Sequence, residues 1–164
     1  MIPDAARPRP AAAADARPHP AGRVVLRPAT RRDGARCAGI FLRARQAAFP
    51  CSRPSFELDD YQRAVEDDEV WVARIGGMAV GFVSLHRPER QIRNLFVDPR
   101  WQHRGIGSRL LDAARSLLDG PALLCCQRGN RAARSFYERN GWTLVPGAGF
   151  GAELGMVDTV MYRK

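Results

Sequence analysis

Between Ile92 and Pro121 the chain reads as one strand, turn and helix, and no other stretch restricts the fold as much. Ile92 to Val97 is rich in β-formers, and Asp98-Pro99 ends it because proline cannot extend a ladder. From about Gly105, apolar residues recur at Ile106, Leu110, Leu111, Ala114, Leu117 and Leu118, which is the spacing of one helix face. Gly120-Pro121 stops the run. A strand that feeds an amphipathic helix calls for a sheet with helices on its faces.

The flanking sequence fits that layer plan. Val24-Val25-Leu26 predicts a first strand, Thr30 a helix N-cap, and Cys37, Ile40, Phe41, Ala44 and Ala48 an apolar helix face. Ser55 to Val65 predicts a shorter helix with Phe56, Tyr61 and Val65 inward. Val70 to Arg74 and Met78 to Leu85 flank Ile75-Gly76-Gly77 as an antiparallel hairpin. Ala122 to Cys126 reads as a buried strand, Asn130 to Arg139 as the last helix, and Trp142 to Val145 and Asp158 to Tyr162 as final strands. Gly147 to Gly155 links those two. The expectation is a mixed α/β domain over 23–164. Residues 1–22, rich in Pro, Ala and Arg, bury too little apolar surface to offset their ordering entropy and are expected to form a disordered tail.

Several function classes fall away. No apolar run approaches the ~18 residues of a membrane span, and the N-terminus lacks the apolar centre of a signal peptide, so cytoplasmic residence is expected. The four cysteines lack the spacing of a disulfide framework or a metal site; no metal is expected. The net charge is +9, but Lys164 is the only lysine, and the arginine excess reads as general composition plus an anion patch. A nucleic-acid-binding domain would need a recognition helix or interleaved aromatic and basic residues, and neither stands out.

The chemistry concentrates after Leu95-Phe96-Val97-Asp98-Pro99, at Gln102-His103-Arg104-Gly105-Ile106-Gly107. A glycine turn that opens a helix aims unpaired N–H groups at one point, and the helix dipole adds positive charge there. Gly105 and Gly107 would let an anion approach the backbone, and Arg104 and Arg109 would add charge. Two glycines at a helix start serve plain turn geometry equally well. The pattern has neither the third glycine of a dinucleotide fingerprint nor the Gly-Lys-Ser/Thr of a Walker loop.

One strand later comes Asn130-Arg131-Ala132-Ala133-Arg134-Ser135-Phe136-Tyr137-Glu138-Arg139-Asn140-Gly141-Trp142. The two segments, in this order and at this distance, resemble the GNAT superfamily of N-acetyltransferases, and the resemblance runs from about Val24 to the C-terminus. It implies a mostly antiparallel central sheet flanked by about four helices, with acetyl-CoA as cosubstrate. By this analogy Gln102, Gly105 and Gly107 match the pyrophosphate loop, with backbone amides from His103, Arg104, Gly105, Ile106, Gly107 and Ser108. Leu95, Phe96 and Val97 match the strand that pairs with pantetheine, Asn130 a CoA contact, and Tyr137 the general acid.

The base is not given by the resemblance. The glutamate that some members carry five residues before the asparagine is Cys125 here, and Arg93-Asn94 stand where others carry a carboxylate. His86 is one candidate, since histidine has an ordinary pKa of ~6.5; a water chain, or an amine that arrives already neutral, stays open beside it. Glu57, Asp59, Asp60, Glu153 and Asp158 are weaker candidates for drawing in a cationic acceptor. The expected reaction is direct acetyl transfer to a primary amine, on a small molecule or a peptide. The alternative is a non-catalytic acyl-CoA sensor of the same fold. Apolar residues on the last strands leave a homodimer open.

Overall fold

The computed structural model describes residues 22–48, 57–147 and 158–164. The expected tail up to residue 21, Cys51, Phe56, Glu153 and nearly all of the glycine-rich linker lie outside them. The first strand and helices of the described residues are β1 (Val25–Pro28), α1 (Gly34–Ala48) and α2 (Leu58–Val65). Three strands follow, β2 (Glu69–Ile75), β3 (Met78–His86) and β4 (Gln91–Val97), then α3 (Ile106–Leu118), β5 (Leu123–Gln127) and α4 (Arg131–Arg139). The last are β6 (Thr143–Val145) and β7 (Thr159–Arg163). The sheet order is β1-β2-β3-β4-β5-β7-β6. Every neighbouring pair is antiparallel except β4 and β5. Among the described residues the expected mixed, mostly antiparallel sheet with four helices is therefore what forms.

β3 feeds two cores, and a bulge at Val80, between the pairs Arg74 with Ala79 and Ala73 with Gly81, puts Val80 on the same face as Val83 and Leu85. Val80, Val83 and Leu85 pack with Ile106, Leu110, Leu111 and Ala114 of α3 and with Tyr137 of α4. On the opposite face Ala79 and Phe82 pack with Ile40 and Phe41 of α1 and Tyr61 of α2. There the rings of Phe41, Phe82, Phe96 and Tyr61 meet at centroid distances of 5.1 to 6.1 Å, mostly edge to face. Each such pair contributes about 0.5–1.5 kcal/mol beyond the area it buries.

Three local expectations change in detail. Ile75 continues β2, so the hairpin turns on Gly76-Gly77 alone, with φ of 55° and 81° at its two central residues. A two-residue hairpin with both central φ positive is the turn that matches strand twist, and glycine supplies it without strain. Thr30 precedes a 3-10 turn, Arg31–Asp33, before α1. Its N–H and hydroxyl both donate to Asp33, whose carboxylate also takes a two-pronged contact from Arg27. Ala48, expected inward, is exposed in the last turn of α1.

Candidate active site

The parallel pair β4–β5 holds for only two steps, Gln91 with Leu123 and Ile92 with Leu124. The cause lies on the other edge of β4. Leu85 pairs with Ile92 and Ser84 with Asn94, so Arg93 is an extra, bulged residue. A bulge bends its strand and ends pairing nearby. Beyond it β4 follows β3, while β5 follows β7 through all five of its residues. The two parallel strands therefore diverge and leave an open edge on each.

Which groups face that gap follows from alternation. Asp98 N–H donates to Val80 O at 2.9 Å, so Asp98 is turned towards β3, and Phe96 and Asn94 with it. Leu95 and Val97 consequently present their N–H and C=O to the gap. Of the three strand residues named from sequence, Phe96 is the exception: its backbone serves β3 and its ring the aromatic core. The Gln102 side chain donates to Val97 O at 3.2 Å, which ties the loop to the end of β4.

At the wide end of the gap α3 begins. Its first intrahelical bond is Arg109 N–H to Gly105 O, 3.1 Å, so the N–H groups of Ile106, Gly107 and Ser108 have no partner inside the helix. His103 (φ 60°) and Gly105 (φ 73°) are both left-handed and curl the turn. A Cβ on Gly105 would meet nothing within 4 Å, so this is an open face where backbone is reachable. Gly107 has a different reason to be glycine. A Cβ there would sit 3.2 Å from the Phe136 ring, so its absence lets α4 lie close against α3.

Arg104 and Arg109 do not join this anion-facing side. The Arg104 guanidinium stacks on Trp101, 5.0 Å from the ring centroid. Both arginines line a separate cleft of about 270 Å³ with Arg23, Val24 and Ile75, at the β1–β2 side of α3. Arg104 takes its direction from Trp101 and Arg109 from how α3 is rotated on the sheet, and proximity in sequence shows neither.

Asn130 is the N-cap of α4, its carboxamide oxygen accepting from Ala133 N–H at 3.1 Å. Its remaining hydrogen-bonding capacity is the NH₂ group. Tyr137, seven residues on, is 9% exposed, with Phe136 and Tyr162 rings at 5.3 and 5.8 Å. Burial, with the Cys126 thiol of β5 nearby, pushes the phenol pKa well up, so the side chain holds its proton at neutral pH.

His86 ends β3 on the α1–α2 face, opposite Gln91 of β4. The Gln91 amide in turn approaches Cys125 Sγ at 3.9 Å, where β5 leaves β4. Histidine, glutamine and cysteine thus cross three strands just below the opening. Sequence reading overlooked Asp68, between α2 and β2. Its carboxylate is fully buried, accepts from Ser84 Oγ at 2.6 Å, and has His86 Nδ1 at 3.5 Å and Arg93 Nη1 at 3.4 Å. Its place in an acidic run, Glu66-Asp67-Asp68-Glu69, gave no local signal of burial. Of the weaker carboxylates, Asp60 pairs with Arg63 and Asp158 with Arg128.

Residues 66–144 match the model of the acetyltransferase (GNAT) domain. In Escherichia coli, YafP, named an uncharacterised N-acetyltransferase, is 35% identical over 85 residues, 52% of this chain and 53% of that protein. The chain thus spans about half the length of the curated relatives it matches. Among solved structures, apo YjaB of Escherichia coli superposes with a TM-score of 0.70 at 21% identity, over 85% of this chain and 95% of that one. A PaiA N-acetyltransferase from Thermoplasma acidophilum, solved in complex with coenzyme A, also gives 0.70, at 18% identity over 87% and 98%.

Proposed function

We propose, from the match of residues 66–144 to the acetyltransferase (GNAT) domain, that this chain is a GNAT-superfamily enzyme which transfers acetyl from acetyl-CoA to a primary amine by direct attack within a ternary complex. The observation that carries the reading is the β4–β5 gap, opened by the Arg93 bulge, with unpartnered helix N–H groups at its wide end and Tyr137 beside β5. Acetyl-CoA supplies the activated acyl group as a thioester. Leu95 and Val97 offer the edge to which an extended pantetheine arm adds as a strand would. The turn from Gln102 to Ser108 offers N–H groups to its pyrophosphate, and the Asn130 NH₂ makes a further contact. Leu95 N–H is aimed at the oxygen on which charge develops during attack. Tyr137, kept protonated by burial, gives its proton to the departing thiolate. His86 collects the proton released by the amine, through water along the Gln91–Cys125 line. A location in the cytoplasm and a small-molecule or peptide acceptor complete the proposal; no helix among the described residues is long and apolar enough to cross a membrane.

Thermal unfolding of CoA-stripped protein with acetyl-CoA at 100 times its Kd is expected to rise by ~5–10 °C, from ~2.7 kcal/mol of linkage. Tyr137→Phe is expected to keep that shift and lose most acetyl transfer, measured as free thiol released with a panel of primary amines. An unchanged rate removes Tyr137 from the mechanism. Cys125 and Arg93 stand where other members carry carboxylates, which favours a second reading, an acyl-CoA sensor. That reading predicts the shift with no transfer to any amine.

A further inference from the structure

The buried carboxylate beside His86 has no role in the scheme above. Asp68 is fully buried at its side chain, yet its Oδ1 has no hydrogen bond, and neither has the equally buried His86 Nδ1 3.5 Å away. Two buried polar atoms facing each other without a bond represent an unmet cost, unless a proton lies between them.

The surrounding bonds say on which atom it lies. Asn94 Nδ2 donates to Ser84 Oγ at 2.9 Å and to Ala64 O at 2.9 Å. Ser84 therefore spends its own proton on Asp68 Oδ2, 2.6 Å away. The Arg93 guanidinium, brought in by the bulge, lies 3.4 Å from Oδ1 and forms an ion pair with the carboxylate. An ionised carboxylate only accepts, so the group facing its Oδ1 must donate. Neutral His86 then has its proton on Nδ1 and its lone pair on Nε2. Nδ1 is itself buried, so the 17% of the side chain that is exposed belongs to the rest of the ring. Asp68, from the α2–β2 turn, faces His86 Nδ1, Arg93 of β4 pairs with the same carboxylate, the adjacent Arg87 is paired with Glu69, and Gln91 is the neutral cross-strand neighbour.

We propose that Asp68 is the positioning residue of the proton-collecting histidine: its carboxylate fixes the His86 proton on Nδ1 and leaves Nε2 as the acceptor. The inference rests on the acetyl-transfer reading for its purpose, but its test needs no acceptor. Nitrogen-15 shifts of histidine-labelled protein, assigned with His86→Gln, report the tautomer directly. Wild-type protein above the histidine pKa is expected to show the Nδ1–H form. In Asp68→Asn, Ser84 retains the amide oxygen, so the NH₂ group turns towards Nδ1 and the proton is expected on Nε2. Circular dichroism and the acetyl-CoA thermal shift establish that each variant is folded. An Nε2–H tautomer in the wild type, or a tautomer unmoved by Asp68→Asn in folded protein, overturns the proposal. If no amine is acetylated but the tautomer switches as described, the acetyl-transfer reading fails and the positioning role of Asp68 stands.

Discussion

Asp98 links the end of β4 to α1, and removing its charge should loosen the loop that follows. The side chain is fully buried and meets Arg43 of α1 at 2.8 Å, Arg100 at 3.1 Å and Arg36 of α1 at 3.4 Å. It also caps the turn over Pro99–Trp101 by accepting from Arg100 N–H. Burial pushes its carboxyl up, but the hydrogen bonds from Arg100 and Arg43 outweigh it and hold the pKa at about 2, against an ordinary 3.8. A depressed folded-state pKa stabilises above 3.8, and the contribution fades as the pH falls through 2. At ~1.36 kcal/mol per pKa unit the difference amounts to about 2.5 kcal/mol at pH 7, and roughly half of that at pH 3. Asp98→Asn keeps the shape and removes the charge. Urea unfolding at pH 7 should show a loss of about 2.5 kcal/mol, a Tm lowered by ~5–10 °C for a domain of this size. Repeating the titration at pH 4 and 3 should show the loss shrinking. A loss under about 0.5 kcal/mol at pH 7, or one that is the same at every pH, refutes the argument that the arginine cage works through the carboxylate's charge.

The two glycines of the turn should behave differently. Gly105→Ala meets no steric neighbour but forces an L-residue to φ 73°, an expected cost of about 1–2 kcal/mol by urea unfolding. Gly107→Ala gains about 1 kcal/mol of helix propensity against a contact 3.2 Å from Phe136. It should approach or pass neutrality when Phe136→Leu relieves that contact, and a harmless Gly105→Ala would mean the turn is not left-handed. Cys37 and Cys126, each pushed up to about 11 by burial, should stay protonated at pH 8 and resist iodoacetamide until the protein unfolds, as mass spectrometry of the labelled peptides would show.

What could be read locally was read well. The α3 stripe, the Gly76-Gly77 turn, the Asp98-Pro99 stop and the Asn130 cap depend on periodicity and on residues a few positions apart, so their physical causes lie within one window. The glycine turn and the Asn130–Tyr137 segment carried the family in the same way. The gap between β4 and β5 has another origin. Nothing within Ile92 to Val97 announces that Arg93 is bulged, because a bulge is a mismatch between two strands and exists only once β3 and β4 have taken register. The direction of Arg109 waits on the rotation of α3 over the sheet, that of Arg104 on the Trp101 ring, and Gly107 owes its necessity to a ring on α4. Asp68 looks like one more solvated acid until Ser84, His86 and Arg93, up to 25 positions away, close around it. Sequence by itself determined the elements and the chemical vocabulary of the site. Tertiary structure decided which atoms face the gap and which carboxylate is buried, because register, helix rotation and desolvation are properties of packed pairs and not of any single segment.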